Sequence, residues 1–98
     1  MTVPPELEAL RRELDDIDVK ILELVAQRIK VILAVGDYKR ARSMPAYDPE
    51  RERQMLERLC ARAQGPLDAE TVRRIFERLI DESRRIEQSH MLGKTKTK

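Results

Sequence analysis

Residues 24–39 read LVAQRIKVILAVGDYK. Apolar side chains recur there at steps of three and four, as they do on one face of a helix. Followed upstream, the same stripe takes in Leu7, Leu10, Leu14, Ile17, Ile21 and Leu24. Downstream it runs through Arg28, Val31, Val35 and Tyr38. The steps alternate three and four without a break, which is a heptad pattern. Pro5 suits a first helical turn, and Glu6 and Glu8 suit the positive end of the helix dipole. Gly36 weakens such a helix without ending it, and Ser43-Met44-Pro45 is the first stop. The spacing therefore predicts one helix of roughly 38 residues, about 57 Å long.

Two shorter helices follow. Asp48 is a good N-cap, Pro49 takes the first helical position, and Glu50 comes next. Met55, Leu56, Leu59, Cys60 and Ala63 give this helix an apolar face, and Gln64-Gly65-Pro66 is expected to end it. Asp68 caps a third helix with Glu70 in its first turn. Its apolar face is Val72, Ile75, Phe76, Leu79 and Ile80, continued by Ser83, Ile86 and Glu87, and it frays towards Gly93. The fold class is all-α: three helices, very long, short and medium, in a single domain over 1–98. An arm at 1–4 and a tail at 92–98 are expected to be disordered. A compact monomer of this length has a radius of gyration of only about 13 Å. The long helix would project beyond it with its apolar seam in water. A twofold dimer that packs two long helices together removes the problem.

Composition agrees and narrows the function. Charged residues make up 39% of the 98-residue chain and apolar residues 41%, without the alternation of a sheet. Twenty basic residues are interspersed with 18 acidic ones, for a net charge of +2. A nucleic-acid binder would segregate its cations on one face, and the one basic cluster here is the terminal GKTKTK. Cys60 is alone, so no intrachain disulfide framework exists, and it reads as a small packing residue of the second helix. His90 is the single histidine and reads as a surface residue; no metal-ligand cluster accompanies it. No apolar run approaches transmembrane length, and MTVPPELE lacks a basic segment followed by an apolar one. The expectation is a cytoplasmic protein with no membrane or nucleic-acid partner, no metal and no cofactor.

Against this background the charges on the long seam stand out. Lys39 follows Arg28 by eleven residues, so the two differ by about 20° in direction and about 16 Å in height. Two cations on or beside an apolar seam need anions, as unpaired burial would cost several kcal/mol each. Asp37 is close in sequence to Lys39 but points away by about 100° per residue step. Structural ion pairs, or side chains reaching out to solvent, are the plain explanation. Arg51 and Glu52 at the start of the second helix, and Ser83 and Glu87 on the third, add polar groups to the same interior. Cations outnumber carboxylates among them, and such a cavity suits an anionic guest. Arg11 lies about 25 Å from Arg28 along the helix, too far to share a small ligand within one chain. In an antiparallel dimer it would reach the partner's site.

In this order and spacing, the segments LEALRRELDDIDVKILELVAQR, AVGDYK, DPERERQMLERL and FERLIDES resemble the all-helical chorismate mutase family. The resemblance covers about Leu7 to Gln88. It implies an intertwined homodimer of three-helix chains with two equivalent sites, acting in aromatic amino acid biosynthesis. It implies that Arg28 and Lys39 bind the substrate from one subunit while Arg11 enters from the other. It implies that Asp48 and Glu52 approach the substituent at ring carbon 4, that Ser83 meets a substrate carboxylate, and that Arg51 and Val35 support the site. Lys39, Glu87 and Arg28 are the catalytic candidates. Conversion of chorismate to prephenate is a unimolecular rearrangement that needs no nucleophile, metal or redox group. It needs a dicarboxylate held in its reactive conformer, and a donor at the ether oxygen where charge develops.

Family members often carry glutamine at the last of these positions, where FERLIDES places Glu87. An ionised glutamate can only accept a hydrogen bond, so Glu87 must hold a proton to donate one. A rival register turns Gln88 inward, which takes a rotation of about 100°. The same scaffold also serves rearrangement of 4-amino-4-deoxychorismate and elimination of pyruvate from isochorismate. A helical dimerisation module without enzymatic activity explains the heptads, but it leaves Arg28, Lys39 and Glu87 on apolar faces unexplained.

Overall fold

The computed structural model describes residues 2–93, and they form three α-helices. Helix α1 spans Pro5–Ala41, α2 spans Pro49–Cys60 and α3 spans Ala69–Met91. The chain divides into two compact units, one ending at Val31 and the other starting at Ile32, so the boundary falls inside α1. The expected terminal arm and tail fall partly outside the described residues, at Met1 and at 94–98.

The first unit is almost wholly helix. Its heptad stripe is exposed along its length, from 41% at Leu7 to 64% at Leu24. Ordinary helices of this amphipathic kind bury that stripe.

The second unit holds the last turns of α1, all of α2 and all of α3. Helix α1 runs for 37 residues, one fewer than its spacing suggests. It ends in a closed hydrogen-bonded motif: the Met44 N–H donates to the Lys39 carbonyl at 2.8 Å and the Ser43 N–H to the Arg40 carbonyl at 3.3 Å. This is the Schellman pattern, with Ser43 at φ 56° where glycine is usual. Helix α2 begins as expected, the Asp48 carboxylate accepting from the Arg51 N–H at 3.1 Å. It stops at Cys60, earlier than the Gln64-Gly65-Pro66 signal. The reason is a tight turn in which Gln64 and Leu67 exchange two backbone hydrogen bonds of 3.0 Å, with Gly65 at φ +58°. Ahead of it, the Arg62 and Ala63 N–H groups already bond three residues back, to the Leu59 and Cys60 carbonyls at 3.0 and 3.2 Å. Asp68 caps α3, accepting from the Thr71 N–H at 2.8 Å, and this bond holds its carboxyl below the usual carboxylate range.

Helix α2 packs on α3. Val72 and Ile80 are the buried apolar residues, flanked by half-buried Leu56, Leu59, Phe76 and Leu79. Cys60 is half-buried and reaches the Ala69 carbonyl at 3.5 Å, in keeping with a packing role. Helix α1 meets α3 at Gly36, which is buried. A Cβ at that position would lie 3.3 Å from the Cγ of both Glu87 and Met91. A Cβ there needs those two side chains to give by a few tenths of an ångström, and glycine permits the close approach of the two helices without that shift. Arg40 reinforces the junction by donating to the Met91 carbonyl at 3.1 Å. No helix among the described residues is long and apolar enough to cross a membrane.

Candidate active site

The close approach at Gly36 brings two charges together inside the second unit. Lys39 Nζ lies 3.4 Å from Glu87 Oε2 and donates to the Ala46 carbonyl at 2.9 Å. Their side chains are only 15% and 8% exposed. The Schellman turn explains the second bond, since it folds the chain back so that Ala46 returns to the last turn of α1. Ser83 is one turn before Glu87 on the same face of α3 and is buried. Its hydroxyl donates to the Leu79 carbonyl of its own helix at 2.7 Å. Lys39, Ser83 and Glu87 thus form a polar island on otherwise apolar helix faces. The direct partner of the seam lysine is a carboxylate of α3.

The remaining expected residues are distributed as follows. Arg11 is exposed and Arg28 half-buried, both in the first unit. Val35 is 38% exposed, beside buried Gly36. Asp48 serves as the α2 cap, and Arg51 is exposed in the first turn of α2. Gln88 is exposed, whereas Glu87 is buried. In this structure the register that turns Glu87 inward is the one adopted.

Glu52 is bound by a residue that the sequence pattern does not single out, Arg84. Arg84 donates from Nη2 to Glu52 Oε1 at 2.6 Å and from Nε to Oε2 at 3.2 Å. Its guanidinium stacks 4.7 Å from the centre of the Tyr47 ring. The Glu52 carboxylate is the chief cause that raises the Arg84 guanidinium above its ordinary value. Arg85, the next residue, is exposed and pairs with Glu82 at 2.7 Å. The available signal was spacing: Arg84 lies four residues after buried Ile80, hence on the same helix face. His90 also departs from expectation. It is half-buried, and its Nε2 donates to the Asp37 carboxylate at 2.7 Å, tying the end of α3 to α1. Tyr38 is 54% exposed, with Arg42 stacked 3.6 Å over its ring.

A cleft of about 300 Å³ lies between α2 and α3, lined by Glu52, Leu56, Glu77, Ile80, Asp81 and Arg84. Three carboxylates against one guanidinium make it a poor host for a dianion. The Lys39 island has the better chemistry for that ligand. No group of three or more metal-ligating side chains occurs among the described residues.

The family model for chorismate mutase type II matches residues 10–88. The bifunctional chorismate mutase/prephenate dehydratase of Escherichia coli K12 is 37% identical over 84 residues, which is 85% of this chain and 22% of that protein. The chain thus spans about a fifth of the length of that curated relative. Among solved structures, the chorismate mutase of Thermus thermophilus (form II) superposes with a TM-score of 0.82 at 34% identity, covering 85% of this chain and 94% of that one. The Helicobacter pylori chorismate mutase, solved in complex with prephenate, gives a TM-score of 0.84 at 28% identity, covering 95% and 100%. With a family match that runs across all three helices and encloses the Lys39–Glu87 island, the chain belongs to the chorismate mutase type II family.

Proposed function

We propose that this chain catalyses the rearrangement of chorismate to prephenate, as a cytoplasmic homodimer with shared sites. The observation that carries the reading is the buried Lys39–Glu87 pair, in a family with a member solved with prephenate bound. Lys39 is the cation for the ether oxygen, where negative charge grows as the carbon–oxygen bond breaks. Glu87 is the second polar group at that oxygen and donates to it only in its protonated form. Arg28 and the partner's copy of Arg11 hold the carboxylates, and Ser83 joins them once its hydroxyl turns from the Leu79 carbonyl. Asp48 and Glu52 address the substituent at ring carbon 4, with Arg51 and Val35 in support. The substrate enters as the anion that satisfies Lys39, and part of the Lys39–Glu87 attraction is exchanged for contacts to it. The exposed heptad stripe of the first unit supports the dimer, since a partner's stripe would bury it.

The test is an assay of purified protein with chorismate between pH 5 and 8, identifying the product. Prephenate formation that falls by roughly 10²–10³ in Lys39→Ala is the expected result, the usual effect of deleting one such donor. A folded protein that leaves chorismate intact at every pH would overturn the reading. The amino and iso forms of the substrate would then be tried next.

A further inference from the structure

One residue outside the reading above occupies both oxygens of Glu52. Arg84 grips the carboxylate at 2.6 and 3.2 Å, rests on the Tyr47 ring at 4.7 Å and reaches Asp81 at 3.8 Å. The four groups that meet come from the loop before α2 (Tyr47), from α2 (Glu52) and from α3 (Asp81 and Arg84). The Arg84 and Glu52 side chains are 30% and 24% exposed, so the pair is partly withdrawn from water. A planar fork bonded on one edge and covered on one face has few orientations left.

That arrangement changes what Glu52 can recognise. A carboxylate has about four lone-pair sites, and Arg84 takes two of them. The others can still accept a hydrogen bond from a neutral hydroxyl. The charge of the pair is balanced, however. A lone carboxylate attracts an ammonium group, whereas one already bonded to a guanidinium does so far less, and the guanidinium repels a second cation. Glu77 and Asp81 line the same cleft as Glu52, and Arg84 is the one cation among those described residues. Removing it would leave Glu52 without its counter-charge, among further carboxylates.

We propose that Arg84 determines specificity by setting Glu52 to accept a ring hydroxyl and to reject a protonated amine on the same ring carbon. The assignment rests on the mutase reading, in which Glu52 faces the substituent at ring carbon 4. Arg84 is then a positioning residue for Glu52, and Tyr47 supports Arg84.

The experiment compares kcat/KM for chorismate and for 4-amino-4-deoxychorismate in wild type, Arg84→Met and Arg84→Lys. Met retains much of the stem and removes the charge; Lys retains the charge and loses the fork. Wild type is expected to prefer chorismate. That preference should fall roughly tenfold or more in Arg84→Met, with Arg84→Lys between the two. An ion pair that only braces the helices would depress both substrates alike. An unmoved ratio, or a wild type that prefers the amine, overturns the proposal. Should Arg84→Met fail to fold, Arg84→Lys and Tyr47→Leu give the same comparison, and an unmoved ratio in both overturns it. Wild-type protein that turns over neither substrate defeats the mutase reading itself, a result distinct from an active enzyme with an unmoved ratio.

Discussion

At the scale of single residues, the decisive feature is a carboxylate beside a lysine in a site built from helix faces. Glu87 is 8% exposed by side chain and meets Lys39 at 3.4 Å. On the proposed mechanism Glu87 has to donate a hydrogen bond to the ether oxygen, and an amide does so without needing a proton. Glu87→Gln should therefore retain or raise kcat/KM for chorismate, whereas Glu87→Ala should lower it by roughly 10²–10³. A Gln variant as slow as the Ala variant would remove Glu87 from the donor role. Much of this residue set was legible beforehand, because Lys39 and Glu87 stand at apolar positions of their helices. Arg84 and His90 were not legible as partners, since each meets a residue more than thirty positions away. A local pattern of charges cannot reveal such a partner.

At the scale of elements, two backbone features control where the site forms. The first is the end of α1. Ser43 adopts φ 56° at the position where the Schellman motif favours glycine. Left-handed backbone costs a residue with a Cβ about 1–2 kcal/mol, partly offset by the entropy glycine loses on folding. Ser43→Gly should therefore raise stability by up to about 1 kcal/mol, read from urea denaturation. The second feature is the α1–α3 contact at Gly36. A larger side chain must push aside Glu87 and Met91, whose Cγ atoms lie 3.3 Å from where a Cβ would sit. Gly36→Val should cost about 1–3 kcal/mol through overpacking. It should also lower kcat/KM, because the displaced group is Glu87. Denaturation and assay of the same preparation check both effects. Caps and helix starts were readable from Asp48, Pro49 and Asp68 alone. The early end of α2 was not, since Arg62 and Ala63 tighten to bonds three residues back ahead of the turn closed between Gln64 and Leu67.

At the scale of the whole molecule, the proposed site needs two chains. The first unit exposes the apolar residues of its heptad stripe, and Arg11 lies on that unit. If each site takes Arg11 from one protomer and Lys39 from the other, Arg11→Ala and Lys39→Ala should each be nearly inactive alone. Mixed under conditions that exchange subunits, they should recover about one quarter of wild-type activity. Half of the dimers would then be hybrids, and each hybrid has one intact site of two. A mixture no more active than its components would place Arg11 and Lys39 in the same chain's site or remove Arg11 from it. Sedimentation of wild type should give the mass of a dimer.

The sequence by itself determined the helices, their starts and the faces that carry charge. These depend on periodicity, capping and proline, which act over a few residues. The three-and-four spacing from Leu7 to Tyr38 sufficed to read a single long helix. Tertiary structure alone decided which charges meet. Lys39 found Glu87 because Gly36 lets two helices touch, and Glu52 found Arg84 because α2 packs on α3. Ion pairing acts through space over a few ångströms, and only the packed fold sets those distances.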